Sequence, residues 1–205
     1  MDENKVVRIL KEKFHFNENS IKKLKKFNEY LLDYNKKYNL ISKSTEKSIW
    51  TRHILDSAQI IKFIDLKKVN NIDDFGSGAG FPGLIISLSN LNDKFHVKLY
   101  EKSPVKRSFL ISMMEKLKIN NLDIYNNVYD RDISTDLIVC RAFKRLSKII
   151  DISREMVKKP HKIIVLKGKN AQSEINNLSL DSNYSYKLEK SITDDDSKII
   201  IIKVK

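Results

Sequence analysis

Four glycines, Gly76, Gly78, Gly80 and Gly83, fall within eight positions of this chain, and Asp73 and Asp74 stand just upstream of them. The whole chain has only five glycines, so this concentration marks a tight turn whose backbone comes close to a ligand. Gly78, Gly80 and Gly83 fit G-x-G-x-x-G, which in dinucleotide-binding folds lays a pyrophosphate on a helix N-terminus. Asp74 points elsewhere. A carboxylate just before the first glycine repels a pyrophosphate and suits a cationic amine. S-adenosylmethionine (SAM) offers such an amine, together with a carboxylate that the N–H groups of the turn can hold. A structural turn with no ligand is the alternative.

Other residues belong to the same chemistry by position. Glu101 lies about two dozen residues past the first glycine, at the end of the next strand, where a nucleoside ribose is gripped by its hydroxyls. His53 and Asp56 are three apart and share a helix face, on a helix that leads into the strand of the glycine turn. They are expected beside the site, with a structural tie as the alternative. Cys140 is read as a buried strand residue. A single cysteine excludes an intramolecular disulfide, and four histidines without close ligand spacing leave no metal site to expect.

Elements that can position these groups follow from periodicity. Residues 4–13 form a short amphipathic helix. Ser20 is the expected N-cap of a stronger one, with Ile21, Leu24, Phe27, Leu31, Tyr34 and Tyr38 inward and Lys22, Lys23, Lys25 and Lys26 on a solvated face, a dedicated RNA contact being the alternative for these lysines. Ser44 or Thr45 caps a helix over 46–63 that turns Ile49, Trp50, Ile54, Ala58 and Ile61 inward. Strands are predicted at 95–100, 122–125, 137–140 and 163–166 besides the one entering the glycine turn, with helices from Pro104 and over 146–157. Segments 184–188 and 199–204 read as a closing pair with no helix between them, joined by a solvated acidic loop, Asp194 to Asp196. This alternation predicts an α/β fold, an open, mostly parallel sheet with one antiparallel strand at its end. Ligands bind beyond the C-terminal strand ends, at Asp74, Glu101, Asn126 to Asp130, Arg141 and Lys167.

A length of 205 residues predicts one domain, with residues 1–66 as a helical extension packed on a core over 67–205. No apolar run is long enough to span a membrane and the N-terminus is charged, so a cytoplasmic location is expected. A net charge of +13, from 39 Lys and Arg against 26 Asp and Glu, favours a polyanionic partner such as RNA. Part of that excess reflects a chain rich in Lys, Asn and Ile together.

Specific blocks carry a resemblance. They are Tyr38-Asn39-Leu40-Ile41, Arg52-His53-Ile54-Leu55-Asp56-Ser57, the run from Asp74 to Gly83, Glu101-Lys102-Ser103, Lys106-Arg107, Phe109-Leu110, Arg141-Ala142-Phe143 and Leu166-Lys167-Gly168. In this order the chain resembles the bacterial small-subunit ribosomal RNA guanine-N7 methyltransferases, also called glucose-inhibited division protein B, over about residues 35 to 170. The resemblance implies a class I SAM-dependent methyltransferase, a Rossmann-like, seven-stranded sheet with helices on both faces and an N-terminal helical extension. It implies that Gly76 and Phe81 contact the cofactor, that Val128 and Tyr129 lie along its adenine, and that Arg141 closes its methionine end. It implies further that His53, Asp56 and Lys167 border the pocket where the guanine enters. Tyr129 stands where the family is usually acidic, and Ile85 where a proline is common.

Small-subunit ribosomal RNA, or the subunit itself, is the expected partner, with no membrane, no metal and no oligomer. The sequence lacks the Asn/Asp-Pro-Pro-aromatic signature of amino-nitrogen methyltransferases and the Pro-Cys context of pyrimidine-C5 enzymes. Guanine N7 has a free lone pair and no proton to lose, so transfer to it rests on positioning and electrostatics. The competing readings are a SAM methyltransferase of another RNA or a small molecule, an NAD(P)-dependent oxidoreductase, and a noncatalytic RNA-binding protein.

Overall fold

The computed structural model describes residues 1–205 apart from 90–93, 131 and 179–180. Seven strands form one sheet in the order β3-β2-β1-β4-β5-β7-β6. They are β1 (Asn71–Phe75), β2 (His96–Tyr100), β3 (Leu122–Tyr125), β4 (Leu137–Arg141), β5 (His161–Lys167), β6 (Tyr184–Lys190) and β7 (Lys198–Val204). The first five pair in parallel, and β7 runs antiparallel to both of its neighbours. The antiparallel strand therefore sits one place in from the edge, not at the end as the sequence predicts. The hairpin with β6 explains the difference, because β6 takes the edge and polar positions such as Ser185 and Lys187 face solvent there.

Alternating residues of the strands feed two cores. Ile72, Val97, Leu99, Val139 and Ile164 face one side. Phe75, Ile138, Cys140, Val165 and Ile200 face the other. On the first side pack α1 (Glu3–Phe14), α2 (Glu18–Tyr38), α4 (Gly83–Ser89) and α5 (Pro104–Lys116), through Leu10, Leu24, Phe27, Leu84 and Phe109. On the second side pack α6 (Leu146–Met156) and α7 (Ala171–Asn176), through Ile149, Ile152 and Ile175. Helix α7 has no counterpart in the sequence reading, because its six residues are too few to show a period.

Two N-terminal details differ from expectation. Asn17, not Ser20, caps α2, accepting from the Ser20 N–H at 2.8 Å, while the buried Ser20 hydroxyl reaches the Ser89 carbonyl. The predicted helix over 46–63 is a broken spiral. It runs as a 3₁₀ turn over Lys43–Ser48, π-helical turns over Trp50–Leu55, a single α-turn α3 (Asp56–Ala58) and a 3₁₀ turn over Gln59–Phe63. Its predicted inward residues, Ile49, Trp50, Ile54, Ala58 and Ile61, are all buried. Periodicity found the buried face but not the change of winding. Such π-turns concentrate at functional sites, and this one presents His53.

Candidate active site

Strand β1 ends at Phe75, and the chain turns through Gly76 to Pro82 before α4 begins at Gly83. The amides of Gly76 and Ser77 both donate to the Tyr100 carbonyl, at 2.9 and 3.0 Å, which fastens the turn to the end of β2. Asp74 lies fully buried beneath it and accepts from the Gly83 N–H at 2.9 Å. A Cβ on Gly83 would stand 2.7 Å from Asp74 and 2.5 Å from Leu99, so the approach requires glycine. Burial pushes the Asp74 carboxyl up to about 7, against the opposing pull of the Gly83 N–H, the Ser77 hydroxyl and Arg141. The sequence suggests a carboxylate facing a cofactor amine here. The structure places it under the turn, outside the cavity lining, with one oxygen on the first residue of α4 and the other, also buried, without a hydrogen-bond partner among the described residues.

Gly78 does the opposite. Its φ is +59°, and a Cβ there would meet nothing within 4 Å. The turn opens at this point into a cavity of about 350 Å³. Gly76, Gly78, Phe81, Glu101, Val128 and Arg141 line it, as the sequence groups them. Gly80 faces Leu84 and Leu110 instead, and the half-exposed Tyr129 is outside the lining. Asn126 and Asn127 take the place expected of Tyr129, with Tyr100, Phe143, Leu40 and Ile41 completing the wall. Leu40 and Ile41 could be found only as part of a matched block. Buried Asn35 sets them in place, taking the Ile41 N–H at 2.9 Å and donating to Glu46 at 2.6 Å.

Glu101 is oriented before any ligand arrives. Its two oxygens accept from the Gly78 and Ser103 amides, each at 2.8 Å. Arg107 ties the carbonyls of Glu101 and Lys102 to the Asn126 side chain with bonds of 2.7 to 2.9 Å. A nucleoside fits this corner, where a fixed carboxylate stands beside apolar Val128. SAM fits the cavity as a whole, because Gly78 leaves room for close backbone approach and the wall joins one carboxylate and the cations Lys102, Lys106 and Arg141 to apolar and amide groups.

A second cavity, also about 350 Å³, adjoins the first and shares His53, Arg141 and Ala142 with it. Asp56, Lys167, Thr193 and Asp194 line its far side. Arg141 is the hub of the partition. It donates to His53 Nδ1 at 2.7 Å, to the Arg52 carbonyl at 2.9 Å and to Asp56 at 3.4 Å. Both the Arg141 guanidinium and the His53 ring lie against Phe81, about 5 Å from its centre. Because Nδ1 accepts from Arg141, the ring proton sits on Nε2 and goes to Thr45 Oγ1 at 2.9 Å. Burial, then Arg141 and Arg52, push the His53 pKa down to about 3. His53 is neutral, and both its nitrogens are engaged.

Asp56 and Lys167 are equally committed. Asp56 takes Gln59 and Thr193 at 2.8 Å each on its other oxygen. The Lys167 ammonium holds both Glu174 oxygens at 2.9 Å and the Lys144 carbonyl at 2.8 Å. Asp194, read from the sequence as part of a solvated loop, pairs with Arg52 at 2.5 Å. With Gln59 bonded to Ser191 and Ile192, this makes the turn between β6 and β7 a wall of the second cavity. Nothing local in the sequence signals a contact between residues more than a hundred positions apart.

A sheet of this order, with a glycine turn above β1 and an acidic residue ending β2, defines a class I SAM-dependent methyltransferase, whose methyl donor is SAM. A solved SAM-dependent methyltransferase from Aquifex aeolicus shares the fold at a TM-score of 0.60 and 14% identity, over 83% of this chain and 97% of that one. The family model for rRNA small subunit methyltransferase G matches residues 20–199. "Ribosomal RNA small subunit methyltransferase G" of Pelagibacter ubique is 40% identical over 182 residues, 86% of this chain and 85% of that protein. Its namesake from Orientia tsutsugamushi is 34% identical over 93% of this chain and 94% of its own length. The chain belongs to the rRNA small subunit methyltransferase G family.

Proposed function

We propose that this enzyme methylates N7 of a guanine in small-subunit ribosomal RNA, in the cytoplasm, with SAM in the first cavity and the guanine entering the second. One observation carries this reading. Among the described residues the partition between the cavities holds no free base, since both His53 nitrogens and both Asp56 oxygens are engaged. Alkylation at an exocyclic amine or a ribose hydroxyl needs a proton acceptor, whereas N7 offers a lone pair with nothing to remove.

The residues then divide the work. Bound SAM supplies an electrophilic sulfonium methyl. Gly76, Gly78 and Phe81 form the wall against its methionine half, and Glu101 receives the ribose hydroxyls beside Val128 and Asn127. Asp74 sets the turn from beneath through Gly83. Arg141, fixed by His53 and Asp56, stands where the two cavities meet and orients both reactants. Lys167, held by Glu174, shapes the base pocket. Residues 1–66 act as part of the catalytic unit, because Leu10, Leu24, Ile41 and Ile54 share one core with β1 and α4. N7 lies on the major-groove edge, deep and narrow in A-form RNA, so the target guanine is unpaired or splayed.

The pH dependence of the chemical step tests this. Single-turnover methyl transfer with saturating SAM is expected to vary less than about threefold between pH 6 and 9. A rate climbing tenfold per pH unit below pH 8 would reveal a titrating base and reject N7.

A further inference from the structure

A second basic surface lies away from the cavities, between α2 and α5. The groove there has a volume of about 620 Å³, and six of its eight lining residues are Lys22, Lys23, Lys25, Lys26, Lys116 and Lys118. Among the described residues no carboxylate lines it. Glu18 pairs with Lys11 at 2.7 Å and Glu3 with Lys25 at 3.1 Å, while Glu29 and Glu115 are exposed outside the lining. The Lys116 ammonium is held over the Tyr30 ring at 4.6 Å. Lys23 donates to the Lys118 carbonyl at 3.0 Å, bridging the N-terminal part of α2 to the end of α5. A second hollow beside the groove shares Lys23 and Lys118 and adds Lys94.

We propose that this groove binds the phosphate backbone of the RNA substrate at a place remote from the methylated guanine. The proposal rests on the ribosomal RNA reading above. Clustered lysines with no carboxylate among them repel one another, and that repulsion is relieved by a polyanion. Isolated solvated lysines do not need to line one groove. Its apolar lining is confined to Leu117, too little for a membrane surface, which would need an apolar face as well. The two helices also connect the groove to the active site. The chain leaves α2 into Leu40 and Ile41, and Lys102 and Lys106 stand at the opposite end of α5, all in the wall of the cofactor cavity. At 1.5 Å per residue the groove lies roughly 15 to 25 Å from that wall. A substrate reaching it must extend well beyond one loop, so the groove selects large, folded RNA over short oligonucleotides.

The test compares the wild type with a variant carrying Lys22→Gln, Lys26→Gln, Lys116→Gln and Lys118→Asn. Asparagine is chosen for Lys118 because φ there is +50°. Lys23 and Lys25, which are bonded to other parts of the fold, are kept. A control carries the same charge change at Lys158, Lys190, Lys203 and Lys205, exposed residues distant in sequence from α2 and α5. Affinity for naked small-subunit RNA is measured against salt, with SAM affinity and single-turnover methyl transfer alongside. The groove variant is expected to bind RNA at least tenfold more weakly. Its slope of log K against log salt flattens by about 0.7 to 0.9 for each phosphate it no longer neutralises. SAM affinity and the saturated rate stay within twofold, and the control stays near wild type. Equal affinity and slope in groove variant and wild type overturn the groove while leaving the ribosomal RNA reading intact, and so does an equal loss in the control. A wild type that neither binds nor methylates this RNA overturns both.

Discussion

Arg141 at the end of β4 places a guanidinium nitrogen 2.7 Å from Nδ1 of His53, which belongs to the π-helical turn of the N-terminal segment. This bond joins the catalytic sheet to the segment packed on it and fixes which imidazole nitrogen carries the proton. It also removes His53 from acid–base chemistry. The same arginine lines both cavities, and on the function proposed above its position sets how donor and acceptor meet. His53 and Asp56 line the second cavity, as the resemblance implies, and in addition they hold the arginine.

Asp56→Ala removes a carboxylate that steadies Arg141 and, through Thr193, the turn between β6 and β7. A hydrogen bond to a charged group contributes about 1.5 to 3 kcal/mol, so turnover is expected to fall roughly 10- to 100-fold while SAM affinity changes less than about fivefold. Lys167→Ala leaves Glu174 without its cation and is expected to give the same pattern with a smaller loss. Calorimetric SAM binding beside single-turnover rates checks both. Parallel losses in rate and SAM affinity would place these residues at the cofactor.

The His53 pKa, pushed down to about 3, gives a signed prediction for stability. The unfolded imidazole takes a proton near pH 6.5 and the folded one does not, so folding stability falls as pH drops below about 6.5. His161, whose pKa is also lowered by burial, adds to the same slope. His53→Gln can still accept from Arg141 and donate to Thr45 but cannot titrate. Urea midpoints between pH 7 and 5 should decline less steeply in this variant. Identical slopes would mean that His53 takes up its proton in the folded protein.

Asp74 titrates in the opposite sense. Its folded pKa of about 7 exceeds the unfolded value near 4, so the native state is penalised progressively as pH rises through that window and levels off above it. Asp74→Asn keeps an acceptor for the Gly83 N–H without the buried charge. It is expected to raise Tm at pH 8, to leave it nearly unchanged at pH 4, and to weaken SAM binding less than about fivefold. Asp74→Ala loses the bond to Gly83 and should weaken SAM binding tenfold or more. If the asparagine variant binds SAM as poorly as the alanine variant, the charge itself serves the cofactor amine.

The sheet was legible in the sequence because its strands are apolar on two alternating faces, and composition alone marked the glycine turn. Gly76, Gly78, Phe81, Glu101, Val128 and Arg141 all line the expected cavity. Where the placement differs from the sequence expectation, the difference has a local setting. Asp74 is outside the cavity lining, one oxygen bonded to Gly83, nine positions on, and the other buried without a partner among the described residues. The short 3₁₀ turn over Val128–Asp130 buries Val128 and leaves Tyr129 exposed, so Asn126 and Asn127 rather than Tyr129 line the cavity. The bonds from Arg52, Asp56 and Gln59 to residues 191–194 join the two ends of the chain, and no local pattern encodes such pairs.

The central claim is methyl transfer to N7 of guanine across the Arg141–His53 partition. Its most direct test supplies labelled SAM and the enzyme to small subunits and naked small-subunit RNA from cells lacking this activity, then digests the RNA to nucleosides. Label is expected in 7-methylguanosine at a single site, reduced at least tenfold by Arg141→Ala. Label in any other nucleoside, or none despite demonstrated SAM binding, would contradict it.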